Sequence, residues 1–522
     1  MPRGANYVGG KIKMASRKKQ TLKNITVAFF SNILIYMLSL FTSRVIKEKL
    51  GLDILGLNGV LANVVSILSL TELGVGAAIT FALYEPLAHQ NRELIKSIMA
   101  FYKRAYHYIA LAVAVIGLAL LPLVPGFIKS TEFSKSYIYI VYVLFLANSV
   151  FSYLLVYKRT LIVADQKNYV ITTITLVYTY ALKIFQLIAV FYTSNYILFL
   201  VIQIVCTLVY NLVISFVCDK LYPFLKEKVD KLDQEHVQLI TRKIKALFFH
   251  SIGGVVVLGT DNILISYFCG ITEAGRYTSY LSIVNMIGTI VVIIFDNLRD
   301  SLGNFLVTET QERKRELFNN LFFMNQTVVA IFSVCLVLLL TPFVRMWFGV
   351  DTILPNYVVI FIVLNFYIQK NRCCILDMKS SAGLFEQDRF VPLYESFVNL
   401  IASILLAQRF GIVGIVWGTI ISTMVGPFLI QPLILFRCIL SENIIKYLIS
   451  YISYFIRFII ILGISNFVFT SLIGFTPSNI FSFLLEAAIL FVIVCLCWFA
   501  SVAWKKETKY FVGLIKGKLR RK

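Results

Sequence analysis

Long apolar runs, almost unbroken, alternate with short polar stretches along the whole chain. A helix that crosses the hydrocarbon of a bilayer needs about 20 mainly apolar residues, and runs of that length read as spans. Fourteen are predicted, at 24–43, 55–83, 105–128, 137–157, 168–192, 196–217, 246–268, 277–298, 322–344, 355–369, 391–408, 411–436, 448–471 and 480–503. The runs at 355–369 and 391–408 are the least regular, because polar residues crowd between them. Continuous runs exclude a β-barrel, whose strands alternate and are short. The expected fold is all-α and integral to the membrane, with about 14 transmembrane helices. The basic, polar residues 1–23 precede a first run of full spanning length, so this run is expected to stay as helix 1 and not to act as a cleaved signal.

Composition supports lipid as the solvent. Of 522 residues, 59% are hydrophobic and only 15% charged, whereas an ordinary soluble domain is roughly 25% charged. The formal net charge of +22 raises the question of nucleic acid. The distribution of that charge answers it. With the N-terminus in the cytoplasm, 39 Lys and Arg fall in 1–23, 84–104, 158–167, 218–245, 299–321, 370–390, 437–447 and 504–522, against 8 in the external segments. This asymmetry is the positive-inside pattern for an even number of helices, with both termini cytoplasmic. The charge orients the protein and attracts anionic membrane lipids; no nucleic-acid partner is expected.

The longest internal polar stretch, Asp219–Lys245, is expected to be a cytoplasmic linker with an amphipathic helix near Glu235–Lys245 on the membrane surface. Sequence echoes lie on either side of it. Leu55-Gly56-Leu57-Asn58-Gly59 opens helix 2 and Ala274-Gly275-Arg276-Tyr277-Thr278 opens helix 8, with Gly56 and Gly275 219 residues apart. Ala164-Asp165-Gln166-Lys167-Asn168 precedes helix 5 and Phe385-Glu386-Gln387-Asp388-Arg389 precedes helix 11, with the glutamines 221 apart. Two matches at nearly one offset predict a duplicated six-helix unit, both copies the same way up. The predicted organisation is a six-helix lobe at 1–218, a linker at 219–245, a second six-helix lobe at 246–440, and two further helices with a basic tail at 441–522.

Ionisable residues inside a membrane normally face a cavity or a partner. Within or at the edges of the spans lie Arg44, Glu72, Lys183, Asp261, Asp296, Arg299, Glu395, Arg457 and Glu486. His250 and Asp261 are 11 residues apart, close to three turns of an α-helix. They are expected to share a face of helix 7, with Gly253, Gly254 and Gly259 between them. Two readings of that face stand: Asp261 lines a cleft and binds a cation or proton, or Asp261 and Asn262 clasp a neighbouring helix. Glu72 either carries a coupling ion or neutralises Lys183 or Arg44. Arg44 either grips a phosphate as a bidentate fork or snorkels to the interface. Asp296 and Arg299 join Glu72, His250, Asp261 and Asn262 as candidate ion-coupling or cavity-lining residues.

Absent motifs narrow the class further. No GxxxxGK[ST] cradle for a nucleotide is present. The nine cysteines form no CxxC pair, and His89, His107, His236 and His250 are far apart, so no metal site and no cofactor is expected. Nothing marks a catalytic set, and the chain is not expected to be an enzyme.

Several segments together resemble the bacterial oligosaccharide-lipid flippases. These are the polysaccharide-exporter branch of the superfamily that also holds multidrug and toxin extrusion transporters and lipid II flippases. The segments are Leu55-Gly56-Leu57-Asn58-Gly59, Glu72-Leu73-Gly74-Val75-Gly76, Leu83-Tyr84-Glu85-Pro86-Leu87-Ala88, Phe101-Tyr102-Lys103-Arg104-Ala105-Tyr106, Gly259-Thr260-Asp261-Asn262 and Ala382-Gly383-Leu384-Phe385-Glu386-Gln387-Asp388-Arg389. Asn371-Arg372-Cys373-Cys374 departs from the pattern and leaves the lining by helix 10 open. The resemblance implies a flippase in the bacterial cytoplasmic (inner) membrane. It would move a polyprenyl-diphosphate-linked oligosaccharide to the outer leaflet by alternating access, for surface polysaccharide biosynthesis. Arg44 and Lys183 would meet the diphosphate, and Asn32, Tyr277 and Tyr280 the sugars; the two tyrosines would otherwise belong to an interfacial aromatic belt. Implied partners are H+ or Na+ as coupling ion, and a polysaccharide polymerase with other assembly proteins. A cation-coupled multidrug exporter of the same superfamily and a membrane polysaccharide polymerase are the alternatives. The exporter would show a cleft dominated by acids, and the polymerase a large external loop or a clustered catalytic set.

Overall fold

The computed structural model describes residues 31–69, 75–228, 231–384, 386–473 and 479–519, except for the side chains at 77, 246–258, 296–301, 304, 472–473 and 514–519. Every regular element among the described residues is helical. Helix α1 covers 31–50. It is followed by α2 (Leu52–Leu68), α3 (Val75–Ala88), α4 (Arg92–Leu120), α5 (Lys135–Tyr153), α6 (Val156–Ala164), α7 (Asn168–Thr193) and α8 (Tyr196–Leu221). The second half holds α9 (Gln234–Gly259), α10 (Asp261–Cys269), α11 (Ile271–Thr308), α12 (Gln311–Phe348), α13 (Asn356–Lys370), α14 (Cys373–Ser381), α15 (Val391–Phe410), α16 (Ile412–Val425) and α17 (Pro427–Leu435). The chain ends with α18 (Ile444–Val468), α19 (Ile480–Val502) and α20 (Lys506–Leu519).

Eleven stretches among the described residues are long and apolar enough to cross a membrane, so the chain is an all-α, multi-pass membrane protein. The other three expected spans fall on helical segments of a different kind. The span at 24–43 begins outside the described residues, and the spans at 55–83 and 246–268 are each divided between two helices. Where a loop precedes a helix, a short polar side chain fills the first unpaired amides: Asn91 accepts from the Leu94 N–H, Ser134 from Tyr137, Asn195 from Leu198, and Asn479 from Ser482.

Two expectations are corrected. The segment 235–245 is not a separate surface helix: it forms the first turns of α9, started by Asp233, which accepts from the His236 N–H at 2.8 Å. Helix 7 is not continuous past Gly259, because α9 ends there and α10 starts at Asp261. The three-turn register between His250 and Asp261 therefore crosses a break, and the His250 side chain lies outside the description. Residues 370–390, counted above with the cytoplasmic segments, are partly helical and partly buried. The helix resumes as α14, and Arg372, Lys379 and Asp388 are buried. Polar side chains satisfied one another there and so escaped a rule that counts charge as exposed.

The two halves meet where α2 crosses α11. A Cβ on Gly56 would fall on the carbonyl oxygen of Ile271, and a Cβ on Gly275 on that of Leu52. Each glycine thus meets the residue four before its counterpart, as in a twofold-related pair. The spacing of 219 recurs in backbone irregularities. Gly51 and Gly270 both have positive φ just before a helix, and Ser130 and Gly349 both have positive φ just after one. Asp53 and Thr272, another pair 219 apart, share a 2.7 Å hydrogen bond donated by the threonine. In the second half, α16 lies on α15 through Gly414 and Gly418, whose absent Cβ atoms leave room for Leu406 and Ser403; small residues four apart permit this approach in lipid. Helices α18 and α19 pack on α12, where the buried Trp498 Nε1 donates to Thr327 at 3.0 Å.

Replacement of Gly275 by Val is expected to overpack the α2–α11 crossing and lower stability by about 1–3 kcal/mol. Gly463→Ala, at a position with nothing within 4 Å, should hold or raise it through helix propensity. Thermal unfolding of both variants in detergent measures the contrast.

Candidate translocation site

Helix α1 ties the two halves together along its length. At its start, the Tyr180 hydroxyl of α7 donates to the Ser31 carbonyl at 3.2 Å. Midway, the Tyr36 and Thr289 hydroxyls share a 2.9 Å bond with α11. Farther on, Trp347 Nε1 of α12 donates to the Leu40 carbonyl at 3.3 Å, and Lys47 pairs with Asp351 at 2.6 Å. That second end of α1, predicted to be external, is the end where α2 crosses α11. It carries a further tie between the halves, the Ile271 N–H donating to the Lys129 carbonyl at 3.0 Å; within the second half, Arg276 Nε donates to the Asp351 carbonyl at 2.9 Å. This end of the bundle is closed.

Arg44 belongs to the closed end. Its Nε lies 2.7 Å from Glu48, and its guanidinium sits 4.9 Å from the Trp347 ring centroid. Lys183 has a different setting. It lies three residues beyond Tyr180 on α7, on the face that touches α1, and is half-buried. It has no hydrogen-bond or ion-pair partner among the described residues. Asn32 follows Ser31 and so lies on α1 one residue from the contact with α7.

Asp261 opens α10 at the break in helix 7. Carboxylates are favoured at a helix N-terminus by its exposed N–H groups, and broken helices within membranes line cavities or protein-enclosed sites. Its Oδ2 accepts from Tyr277 at 3.3 Å; its Oδ1 is buried without a partner among the described residues. Asn262 is buried and accepts from Thr278 at 3.3 Å, against Gly59 of α2. Tyr277 and Tyr280 are both buried. The Tyr280 hydroxyl accepts from the Leu354 N–H at 3.2 Å, so neither ring faces the lipid interface or presents a free surface in this conformation. Asp296 and Arg299 lie on α11 with side chains outside the description, and Glu72 lies outside the described residues altogether.

A larger polar cluster sits where α13 breaks into α14. Lys379 and Asp388, both buried, form an ion pair. Gln431 of α17 donates to Asp388 at 3.2 Å and accepts from Arg372 at 3.0 Å. Arg372 also donates to Gln369 at 2.9 Å and approaches Glu395 of α15 at 3.7 Å, and Thr423 of α16 donates to Glu395 at 2.9 Å. The cluster joins α13, α14, α15, α16 and α17. Of its members, the sequence reading named only Glu395 as an ionisable residue of a span; Arg372 and Asp388 entered it only within longer segments. The signal available was the weakness of helix 10 itself: a span that stays polar inside a protein needs polar neighbours.

No family model matches the chain, and no curated protein is similar to it. Solved structures share its fold. The lipid II flippase MurJ, in an inward closed conformation, superposes with a TM-score of 0.65 at 13% identity, covering 92% of this chain and 99% of that one. An inward-facing multidrug resistance MATE family transporter of the MOP superfamily gives 0.59 at 13% identity, covering 77% and 94%. The MATE transporter VcmN of Vibrio cholerae, as a mutant, gives 0.55 at 15% identity, covering 82% and 98%. These neighbours are flippases and transporters.

Lys379→Met leaves Asp388 charged and buried without its cation. It is expected to cost about 3–5 kcal/mol, whereas Lys379→Met combined with Asp388→Leu should recover much of the loss. Melting of the two purified variants measures the difference.

Proposed function

We propose that the chain is a flippase for a polyprenyl-diphosphate-linked oligosaccharide, with the N- and C-termini in the cytoplasm. One six-helix lobe would end near residue 218 and the other span 246–440, the final two helices standing outside the repeat. Moving an unpaired diphosphate through apolar medium costs far more than thermal energy. A polar path beside a lipid-accessible portal removes that cost while the chain of the lipid stays in the bilayer. The observation that carries the reading is Lys183, a cation within a span that no acid among the described residues neutralises, near the contact of α1 with α7. An ammonium held this way invites an anionic partner.

The closed end supports alternating access. Its seal is made of pairwise polar ties and one glycine crossing, which separate as a rigid body if the lobes rock. The likeness to MurJ extends over more of this chain than the likeness to the MATE transporters, 92% against 77% and 82%. That supports a lipid-linked substrate. Asp261 would supply the coupling site for H+ or Na+ through its unpartnered oxygen. The same oxygen favours the second reading, cation-coupled drug export; Lys183, without an acidic partner among the described residues, weighs against it, because a site for cationic drugs gains nothing from an added positive charge.

Deletion of the protein is expected to trap lipid-linked repeat units on the cytoplasmic side; unchanged lipid-linked pools and surface glycan would remove the flippase reading. Lys183→Ala should lower translocation by about tenfold, the loss of one charge-assisted contact, at an unchanged level of membrane protein. Lys183→Arg should retain most activity. Full activity of Lys183→Ala, read as lectin accessibility of the sugar in sealed vesicles, would refute the assignment.

A further inference from the structure

Away from α1, helices α7 and α8 enclose a groove of about 820 Å³ on the other face of the pair. Its walls are aliphatic and aromatic, with Val177, Phe185, Ile188, Val201, Val205 and Val209 along them. Most of these side chains are largely exposed, with Val177 at 64% and Tyr192, at one end, at 80%. From Thr173 to Thr193 the groove follows α7, a rise of about 30 Å at 1.5 Å per residue. That equals the whole hydrocarbon thickness of a bilayer, whereas a phospholipid chain occupies one leaflet, about 15 Å.

At its Thr173 end the groove adjoins a second, polar cavity of about 320 Å³. Tyr178 and Tyr210 line both, with their rings 4.6 Å apart. The polar cavity opens where α5 gives way to α6, and it is lined by Asn148, Ser152, Arg159, Thr207 and Asn211. The amides and hydroxyls are oriented by the protein: Thr207 donates to Asn148 at 2.8 Å, and Asn211 donates to the Phe151 carbonyl at 2.8 Å. Arg159 is exposed and has no hydrogen-bond or ion-pair partner among the described residues. The nearby acid is already occupied, since Lys158 pairs with Asp219 at 2.6 Å and also bonds Ser215 at 2.7 Å.

A cation-bearing polar cavity continuous with an apolar groove has the two-part character of an amphiphile. We infer that the α7–α8 groove and the Arg159 cavity form a binding site for a long-chain polyprenyl phosphate, with the phosphate at Arg159 and the chain laid along the groove. The length selects a chain longer than that of a phospholipid, and the free guanidinium selects the phosphate over a neutral polyprenol. The site lies on the opposite face of α7 from Lys183, so it would hold carrier lipid before entry or after release, at a place separate from the translocation path. The assignment rests on the flippase reading only for the identity of the carrier.

The test uses the purified full chain and three probes: a long-chain polyprenyl monophosphate, the matching polyprenol, and phosphatidylglycerol. Retention is read by native mass spectrometry after delipidation. Wild type should retain the polyprenyl phosphate at least about tenfold more tightly than either other probe. Arg159→Gln should reduce the preference for phosphate over polyprenol about tenfold. Val205→Trp, which fills the groove, should weaken both polyprenyl probes while the melting temperature stays within a few degrees. Equal retention of phosphatidylglycerol, or wild-type affinity in both variants, would overturn the site and leave only ordinary annular lipid in the groove. If both variants bind as wild type while Lys183→Ala still blocks translocation, the groove assignment fails and the flippase reading stands. If wild type neither binds the polyprenyl phosphate nor translocates the linked sugar, both fall.

Discussion

The approach of two backbones at Gly56 and Gly275 is the constraint on which the arrangement of the halves depends. Lipid supplies no hydrophobic force to press helices together, since its chains are as apolar as the helices. Contact must come from close packing and from polar bonds that the bilayer cannot offer as alternatives. Two glycines at one crossing let α2 and α11 approach until each backbone touches the other. Around that point the Asp53–Thr272, Lys47–Asp351 and Lys129–Ile271 contacts become geometrically available. With a side chain at either glycine, the partners would be held apart beyond hydrogen-bonding reach.

The breaks in the helices follow a related rule. A helix interrupted in hydrocarbon exposes amides and carbonyls that need partners, so interruptions are confined to places where the protein supplies them. The break at Thr260 places Asp261 on an N-terminus and beside Tyr277. The break at Asn371 is answered by Asn325, which donates to the Lys370 carbonyl at 3.0 Å and accepts from the Cys374 N–H at 3.1 Å. One break holds an acid bonded to a single tyrosine; the other is spanned by a buried ion pair and the amide and guanidinium groups around it.

Spans were legible because lipid imposes one requirement, apolar length, that the sequence displays directly. The close contact at Gly56 and Gly275 falls on residues the sequence marked, since close approach admits few residue types. Helix 10 was legible as a span, but its continuation was not, because Arg372, Lys379 and Asp388 look solvated until their partners from other segments are known. The site divides in the same way. Asp261 and Asn262 stood out as polar residues in an apolar run, and their position at a helix start explains them. Tyr277 and Tyr280 appeared as a surface pair because they lie three apart on one helix, yet the packing of α10 and of the segment before α13 covers both. Periodicity reports which residues share a face and is silent on what lies against it.

The hydrogen bond between Asp53 and Thr272 has a bearing on ancestry. The glycine contact has the reciprocity of a homodimer, in which a half-length chain would meet its own copy across a twofold axis. In such a dimer positions 53 and 272 would be one position, occupied by the same residue in both copies. Two carboxylates would repel each other there, and two threonines would make a weaker bond than a hydroxyl makes to a carboxylate. The donor–acceptor pair seen here, at 2.7 Å, is closed to identical copies and open within one chain, where the two positions can differ. The seam therefore has distinct sides, and a change on one of them need not be mirrored on the other.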